Sequence, residues 1–134
     1  MKTKVLLSRC EAEKIQNAFF GFKMIPKNKI KKIILGMIEK IKKEYKPEKI
    51  ILFGSYAYGN PTIHSDIDIM IIKRTKKRRI HRCVDVRRIV YDPNRGIPFS
   101  PLVFTPGEIQ QRVSLGDQFI REILQKGKVL YEKE

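Results

Sequence analysis

Acidic residues are scarce in this 134-residue chain: 14 Asp and Glu stand against 29 Lys and Arg, for a formal net charge of +15. That imbalance points to polyanionic contacts, whether nucleic acid, nucleotides or an acidic protein. A Lys-rich surface tuned for solubility or heat is the alternative. Cysteine is scarce too, and Cys10 and Cys83 are far apart and fit no metal-ligand spacing. No apolar run approaches the ~20 residues that a membrane-spanning helix requires. The opening Met1-Lys2-Thr3-Lys4-Val5-Leu6-Leu7 offers only three apolar residues before Ser8, too few for a signal peptide. Repeats and low-complexity linkers are lacking as well. A cytoplasmic, non-membrane protein with reduced thiols is expected. Its length suits one domain, 1–134, with N-terminal helices over 1–46 and a core over 47–132.

The most informative stretch is Ile50 to Ile72, IILFGSYAYGNPTIHSDIDIMII. Two short Ile-rich runs, 50–53 and 67–72, are bounded by turn residues and predict two buried neighbouring strands. Between them Gly54-Ser55 is followed, after ten residues, by Asp66-Ile67-Asp68. Two aspartates two apart on a strand point to one face. Carboxylates side by side repel unless a cation lies between them. Hard oxygen ligands in that arrangement favour Mg²⁺, which also takes phosphate oxygens. Gly54 lets backbone approach a phosphate, and Ser55 is placed as a helix N-cap, where free N–H groups meet an anion.

The rest of the chain alternates helix and strand. Ser8-x-x-Glu11 is a capping box opening a helix with Ile15, Ala18, Phe19 and Phe22. Pro26 starts a second helix, with a stripe of Ile30, Ile33, Ile34, Met37, Ile38 and Ile41, ended by Lys46-Pro47. The densest basic run, Lys73-Arg74-Thr75-Lys76-Lys77-Arg78-Arg79 with Arg82, Arg87 and Arg88, follows the aspartate strand. It is either a phosphate-tracking patch beside the site, Lys73–Arg88, or a solvated face. Thr75 is placed as the cap of a helix reaching about Tyr91, with Ile80, Val84 and Ile89 or Tyr91 inward. Phe99–Phe104 reads as a third strand, Thr105-Pro106-Gly107-Glu108 as a capped helix start with Ile109 and Val113 buried. Asp117 caps a last helix bearing Phe119, Ile120, Ile123 and Leu124 and stopping at Gly127. Val129-Leu130-Tyr131 is an edge strand or a docked tail. The pattern predicts an α/β (α+β) fold, a small mixed β-sheet with helices packed mainly on one face.

Gly54-Ser55 with Asp66-Ile67-Asp68 resembles the Gly-Ser…Asp-x-Asp signature of the polymerase-β-like nucleotidyltransferase superfamily. The ten-residue gap and Ser65-Asp66-Ile67-Asp68 look most like its minimal nucleotidyltransferase branch. Leu102-Val103-Phe104-Thr105-Pro106 and Gly127-Lys128-Val129-Leu130-Tyr131 are similar to later family elements. The resemblance implies an enzyme of nucleotidyltransferase-like fold. It would move a nucleotidyl group from ATP or another nucleoside triphosphate to an acceptor hydroxyl on protein or nucleic acid. Asp66 and Asp68 would be catalytic and hold Mg²⁺, in a two-metal type of site, and Gly54, Ser55, Ser65 and Lys73 would contact the nucleotide. A small helical partner protein is a common companion of that branch.

The resemblance also implies a third carboxylate on the next strand. Counted back from Leu102–Pro106, its place falls on Ser100, and no Asp or Glu lies in 97–105. Asp85 is the substitute if 83–86 form the third strand. However, the seventeen positions from Asp68 to Asp85 crowd a crossover, and the thirty-two to Ser100 suit one. Asp85 is therefore expected on a helix surface beside an Arg. The alternative function is an impaired relative that binds nucleotide, and nucleic acid or a partner, without transfer. Among lesser candidates, Ser65 braces the aspartate turn or touches substrate. His64 is a loop residue or a phosphate contact, and Tyr56 and Tyr58 pack or stack near the nucleotide.

Overall fold

The computed structural model describes residues 26–134. The capping box at Ser8 and the helix expected after it lie outside the described residues. Ile33–Glu134 form one compact unit. The first described helix, α1 (Lys27–Tyr45), has Ile34, Met37, Ile38 and Ile41 buried, the stripe its 3.6-residue spacing demands. It ends where Lys46 takes a left-handed conformation, φ 52°, directly before Pro47.

Next come β1 (Lys49–Phe53), a single turn of helix α2 (Ser55–Tyr58), and β2 (Ile67–Ile72). Then follow α3 (Arg79–Ile89), β3 (Phe99–Phe104), α4 (Pro106–Ser114), α5 (Gln118–Lys126) and β4 (Lys128–Glu132). The strands form one mixed sheet in the order β3-β2-β1-β4. β1 pairs antiparallel with β2 and β4, and β2 pairs parallel with β3. The terminal apolar piece is thus an edge strand, and the crossover between β2 and β3 carries α3.

Ile50, Ile51, Ile67, Ile69, Met70 and Ile71 are all essentially inaccessible. A strand buried on both sides reads as a continuous apolar run, which is why β1 and β2 show so little alternation. One face carries Ile51, Phe53, Met70, Ile72 and Phe104 against Ile120 and Ile123 of α5, with Leu102 and Ile109 and Val113 of α4 at its margin. The other face, including Ile50 and Ile69, lies on the side of α1: Tyr131, paired with Ile50, is met by Lys42 of α1, whose Nζ is 5.5 Å from the ring. The small mixed sheet with packed helices is as expected, and apolar cover reaches both of its faces. Strands too apolar to leave a wet side require two covers.

α3 departs from expectation. Its N-cap is Arg78, and no side-chain bond caps it, while the Thr75 hydroxyl accepts from the Lys77 N–H. Ile80 and Tyr91 are 67% and 73% exposed and Val84 is exposed too, whereas Arg82 and Val86 are buried. The buried face was hidden because an arginine leads it. Arg82 Nε donates to Lys77 O at 2.7 Å, Nη1 to Val103 O at 3.2 Å, and the guanidinium forks onto Glu108 at 2.7 and 3.3 Å. Glu108 completes the expected capping box with Thr105 at the start of α4. One ion pair thus joins α3, β3 and α4.

β3 is an edge strand, and its outer row of carbonyls is already bound. Arg87 donates to Phe99 O at 3.0 Å, the Cys83 thiol points at Pro101 O at 3.7 Å, and Arg82 takes Val103 O. Pro101 has no N–H to offer, which only an edge tolerates. Among the described residues no helix is long and apolar enough to cross a membrane.

The Arg82 guanidinium holds the Glu108 carboxyl below its usual range, against a smaller opposing effect of burial. A depressed carboxylate stabilises the fold above its unfolded pKa and loses that contribution as pH falls through its folded value. Glu108→Gln should therefore cost about 1–3 kcal/mol at neutral pH, less than for a fully buried pair because the Glu108 side chain is 38% exposed. In urea unfolding the gap to wild type should close as the pH is lowered through that depressed range.

Candidate active site

Asp66 immediately precedes β2 and Asp68 is its second residue. Ile67, Ile69 and Ile71 take one face, so both aspartates take the other, in line with Met70 and Ile72. The register aligns three strands at this level: Phe53 of β1 pairs with Asp68, and Asp68 pairs with Ser100 of β3. Chain direction brings Gly54, just past Phe53, over the same carboxylate.

Gly54 has φ 75°, a left-handed conformation that side chains rarely adopt. A Cβ built there would collide with Oδ2 of Asp68. Glycine is required both by the turn and by the aspartate beneath it. Gly54 is also the N-cap of α2, and Ser55 is the first helical residue instead of the cap expected of it. The Gly54 carbonyl accepts from the N–H groups of Ala57 and Tyr58, closing the turn.

Ser100 Oγ donates to Asp66 Oδ2 at 2.9 Å. The β3 position expected from the resemblance is thus held by a hydroxyl bonded to the first aspartate. Burial, and then the charge of Asp66, push the Asp68 carboxyl above its usual range. Burial and the same charge raise the Tyr56 hydroxyl, placing it in the field of Asp66. These are two close, half-buried oxygen donors whose repulsion a cation would relieve. The donor set fits a hard divalent ion such as Mg²⁺. Among the described residues no group of three His, Cys, Asp or Glu could hold a metal together.

A cleft of about 600 Å³ opens here, lined by Phe53, Gly54, Ser55, Tyr58, Gly59, Asp68, Ser100, Leu102, Phe119 and Glu122. Phe119 packs edge-on against Phe53, with ring centroids 5.8 Å apart. Phe119, read from sequence as a helix-face residue, is 52% exposed and forms part of the wall. Glu122 was not anticipated. Its spacing three residues beyond Phe119 is the signal that puts it on the same helix edge.

Other candidates lie elsewhere. Ser65 Oγ accepts from the Thr62 N–H at 2.8 Å, so it braces the loop before the aspartates. The His64 N–H donates to the Thr62 hydroxyl in that same loop. Lys73 follows the opposite end of β2, five residues or about 16 Å from Asp68, where its Nζ meets Lys46 O and the Tyr45 ring. The basic run begins at that far end, and several of its cations are engaged: Arg74 with Glu48, Lys77 with Asp85, Arg82 with Glu108. Asp85 is on α3, 2.8 Å from Lys77 Nζ, outside the cleft. The helix-surface placement is as expected, with a lysine in place of the arginine.

A mixed sheet that presents paired aspartates opposite a Gly-Ser turn, on one cleft, is the framework of a nucleotidyltransferase. Residues 36–134 match the family described as Polymerase beta, Nucleotidyltransferase, and the chain belongs to it. Two Methanocaldococcus jannaschii proteins, each named "Putative protein adenylyltransferase", are similar over most of the chain. One is 33% identical over 107 residues, 76% of this chain and 71% of that protein. The other is 30% identical over 102 residues, 75% of this chain and 96% of that protein. The fold is shared with a Sulfolobus solfataricus crystal structure titled a "putative nucleotidyltransferase", with a TM-score of 0.54 at 18% identity over 81% of this chain and 91% of that one.

Two substitutions test the local geometry. Gly54→Ala should destabilise the fold by about 2 kcal/mol or more, from left-handed strain plus collision with Asp68, read by thermal unfolding. Asp68→Asn should do the reverse in metal-free protein. A carboxyl with a raised folded pKa costs stability above that pKa and nothing below its unfolded value. The variant should therefore have the higher Tm at neutral pH, and the difference should shrink as the pH falls.

Proposed function

We propose that this chain moves an adenylyl group from Mg-ATP to a hydroxyl on a protein. The reading rests on one observation: Asp66 and Asp68 share a sheet face, with Asp68 directly under Gly54 in the cleft that Ser55 also lines. In this reading the two aspartates hold Mg²⁺, which when bound neutralises the triphosphate and polarises the α-phosphate. Gly54 leaves room for phosphate against the backbone, and the Ser55 hydroxyl contacts it. Phe53, Tyr58, Leu102 and Phe119 give the nucleoside apolar surface. The aspartates and the turn orient the α-phosphate, so that rate comes from position more than from bond-making by the protein. ATP as donor and protein as acceptor are supported by the names of the relatives. Lys73 has no part in this scheme, given its place at the other end of β2.

The hydroxyl of Ser100 where a third carboxylate is expected favours a second reading. In it the chain retains Mg-nucleotide without transferring it, and the basic surface around Lys73–Arg88 holds nucleic acid, an acidic protein or a small helical partner.

α-Labelled ATP, Mg²⁺ and extract from the protein's own cells separate the two. Label should pass to protein in the presence of the wild type and metal. With Asp68→Asn it should fall at least 10³-fold. Mg-ATP retained by the wild type with no label moved would favour the second reading, and label on RNA would overturn the choice of acceptor.

A further inference from the structure

Transfer to a hydroxyl requires a proton acceptor, and the β3 position that would supply one carries Ser100, whose proton points at Asp66. Asp66 and Asp68 are committed to the cation. Asp85 is outside the cleft. One more carboxylate lines the same cleft as Asp68 and Ser100: Glu122, on α5.

Its position is well fixed. Ile120 and Ile123, on either side of it, are fully buried in the core against β1 and β2. Asp117 caps the helix start, its carboxylate accepting from the Ile120 N–H at 3.2 Å. At the helix end Gly127 fits so tightly against Ile51 and the Ile123 carbonyl that a side chain there would collide with both. Phe119, one turn earlier, braces the edge against Phe53. Lys126 Nζ is 3.6 Å from the Glu122 carboxylate, and half the Glu122 side chain remains exposed to the cleft and solvent. Glu122 is not within metal-sharing range of the aspartate pair, since no described group of three such residues could bind one ion. A third acid that lines the cleft without joining the metal site is left free to take a proton there.

Resting on the adenylyl-transfer reading above, we infer that Glu122 is the general base of this enzyme, a role moved from the third strand to the C-terminal helix. The acceptor oxygen bonds to the α-phosphorus while the bond from that phosphorus to the bridging oxygen of pyrophosphate breaks. The hydroxyl proton passes to a Glu122 carboxylate oxygen and then to water, and pyrophosphate leaves with the electron pair of the broken bond. A positioned base contributes about 10²–10⁴-fold to such a step.

The test uses the full chain, α-labelled ATP, Mg²⁺ and the same cell extract, with initial rates measured across ATP concentrations. Glu122→Gln keeps shape and removes basicity. It should lower the saturating rate by about 10²–10⁴-fold while the apparent KM for ATP, Mg-ATP retention and Tm stay at wild-type values. A wild-type rate in Glu122→Gln, beside an inactive Asp68→Asn, would overturn the inference and leave the transfer reading standing. Loss of rate together with nucleotide retention or Tm would overturn it as well, by showing a structural role. No transfer from the wild type itself would remove both.

Discussion

The register of three strands is the constraint on which the site depends. Phe53 opposite Asp68, and Asp68 opposite Ser100, set the Gly-Ser turn, the aspartate pair and the serine side by side. Side chains alternate with a period of two, so a slip of one residue would send both aspartates into the apolar face occupied by Ile67, Ile69 and Ile71. Burying a bare carboxylate among isoleucines would cost several kcal/mol. The hydrophobic pattern therefore fixes the chemistry: the isoleucines admit one pairing, and that pairing puts the charges where phosphate and metal can reach them. The Arg82–Glu108 fork secures the same arrangement from the far end of β3, tying the crossover helix to the strand that carries Ser100.

Within this frame the site works against its own stability. Gly54 is held in a left-handed turn, a half-buried carboxylate lies where its side chain would go, and a second carboxylate repels the first. Such conflicts are tolerated where function requires them and are offset elsewhere. Here the offset lies in the β1–β2 core, whose residues are almost wholly withdrawn from water.

Much of this was legible in the sequence, because it rests on local signals. Short Ile-rich runs between turn residues gave the strand positions of β1 and β2 within a residue. Thr105-Pro106-Gly107-Glu108 and Asp117 marked helix starts by side-chain hydrogen bonds made within the next turn, and both form. The place of Ser100 came from the family resemblance, counted back from Leu102–Pro106, and the length a crossover needs favoured it over Asp85. Failures came where tertiary partners outweigh local pattern. The inner face of α3 was misread because it is led by an arginine satisfied by residues more than twenty positions away. Lys73 follows the aspartates in sequence, yet strand geometry carries it to the far end of the sheet. Glu122 was invisible because only the docking of α5 brings it to the cleft.

The outer edge of β3 has a consequence for assembly. Its carbonyls at Phe99, Pro101 and Val103 are taken by Arg87, Cys83 and Arg82, and Pro101 has no N–H. A sheet extends by adding a strand to a row of vacant backbone groups. On this side the carbonyls of that row are already taken by the chain's own side chains, and Pro101 can donate nothing. Strand addition along β3 would first have to displace two arginines and a thiol, so the crossover helix that steadies the site also guards this margin of an apolar sheet.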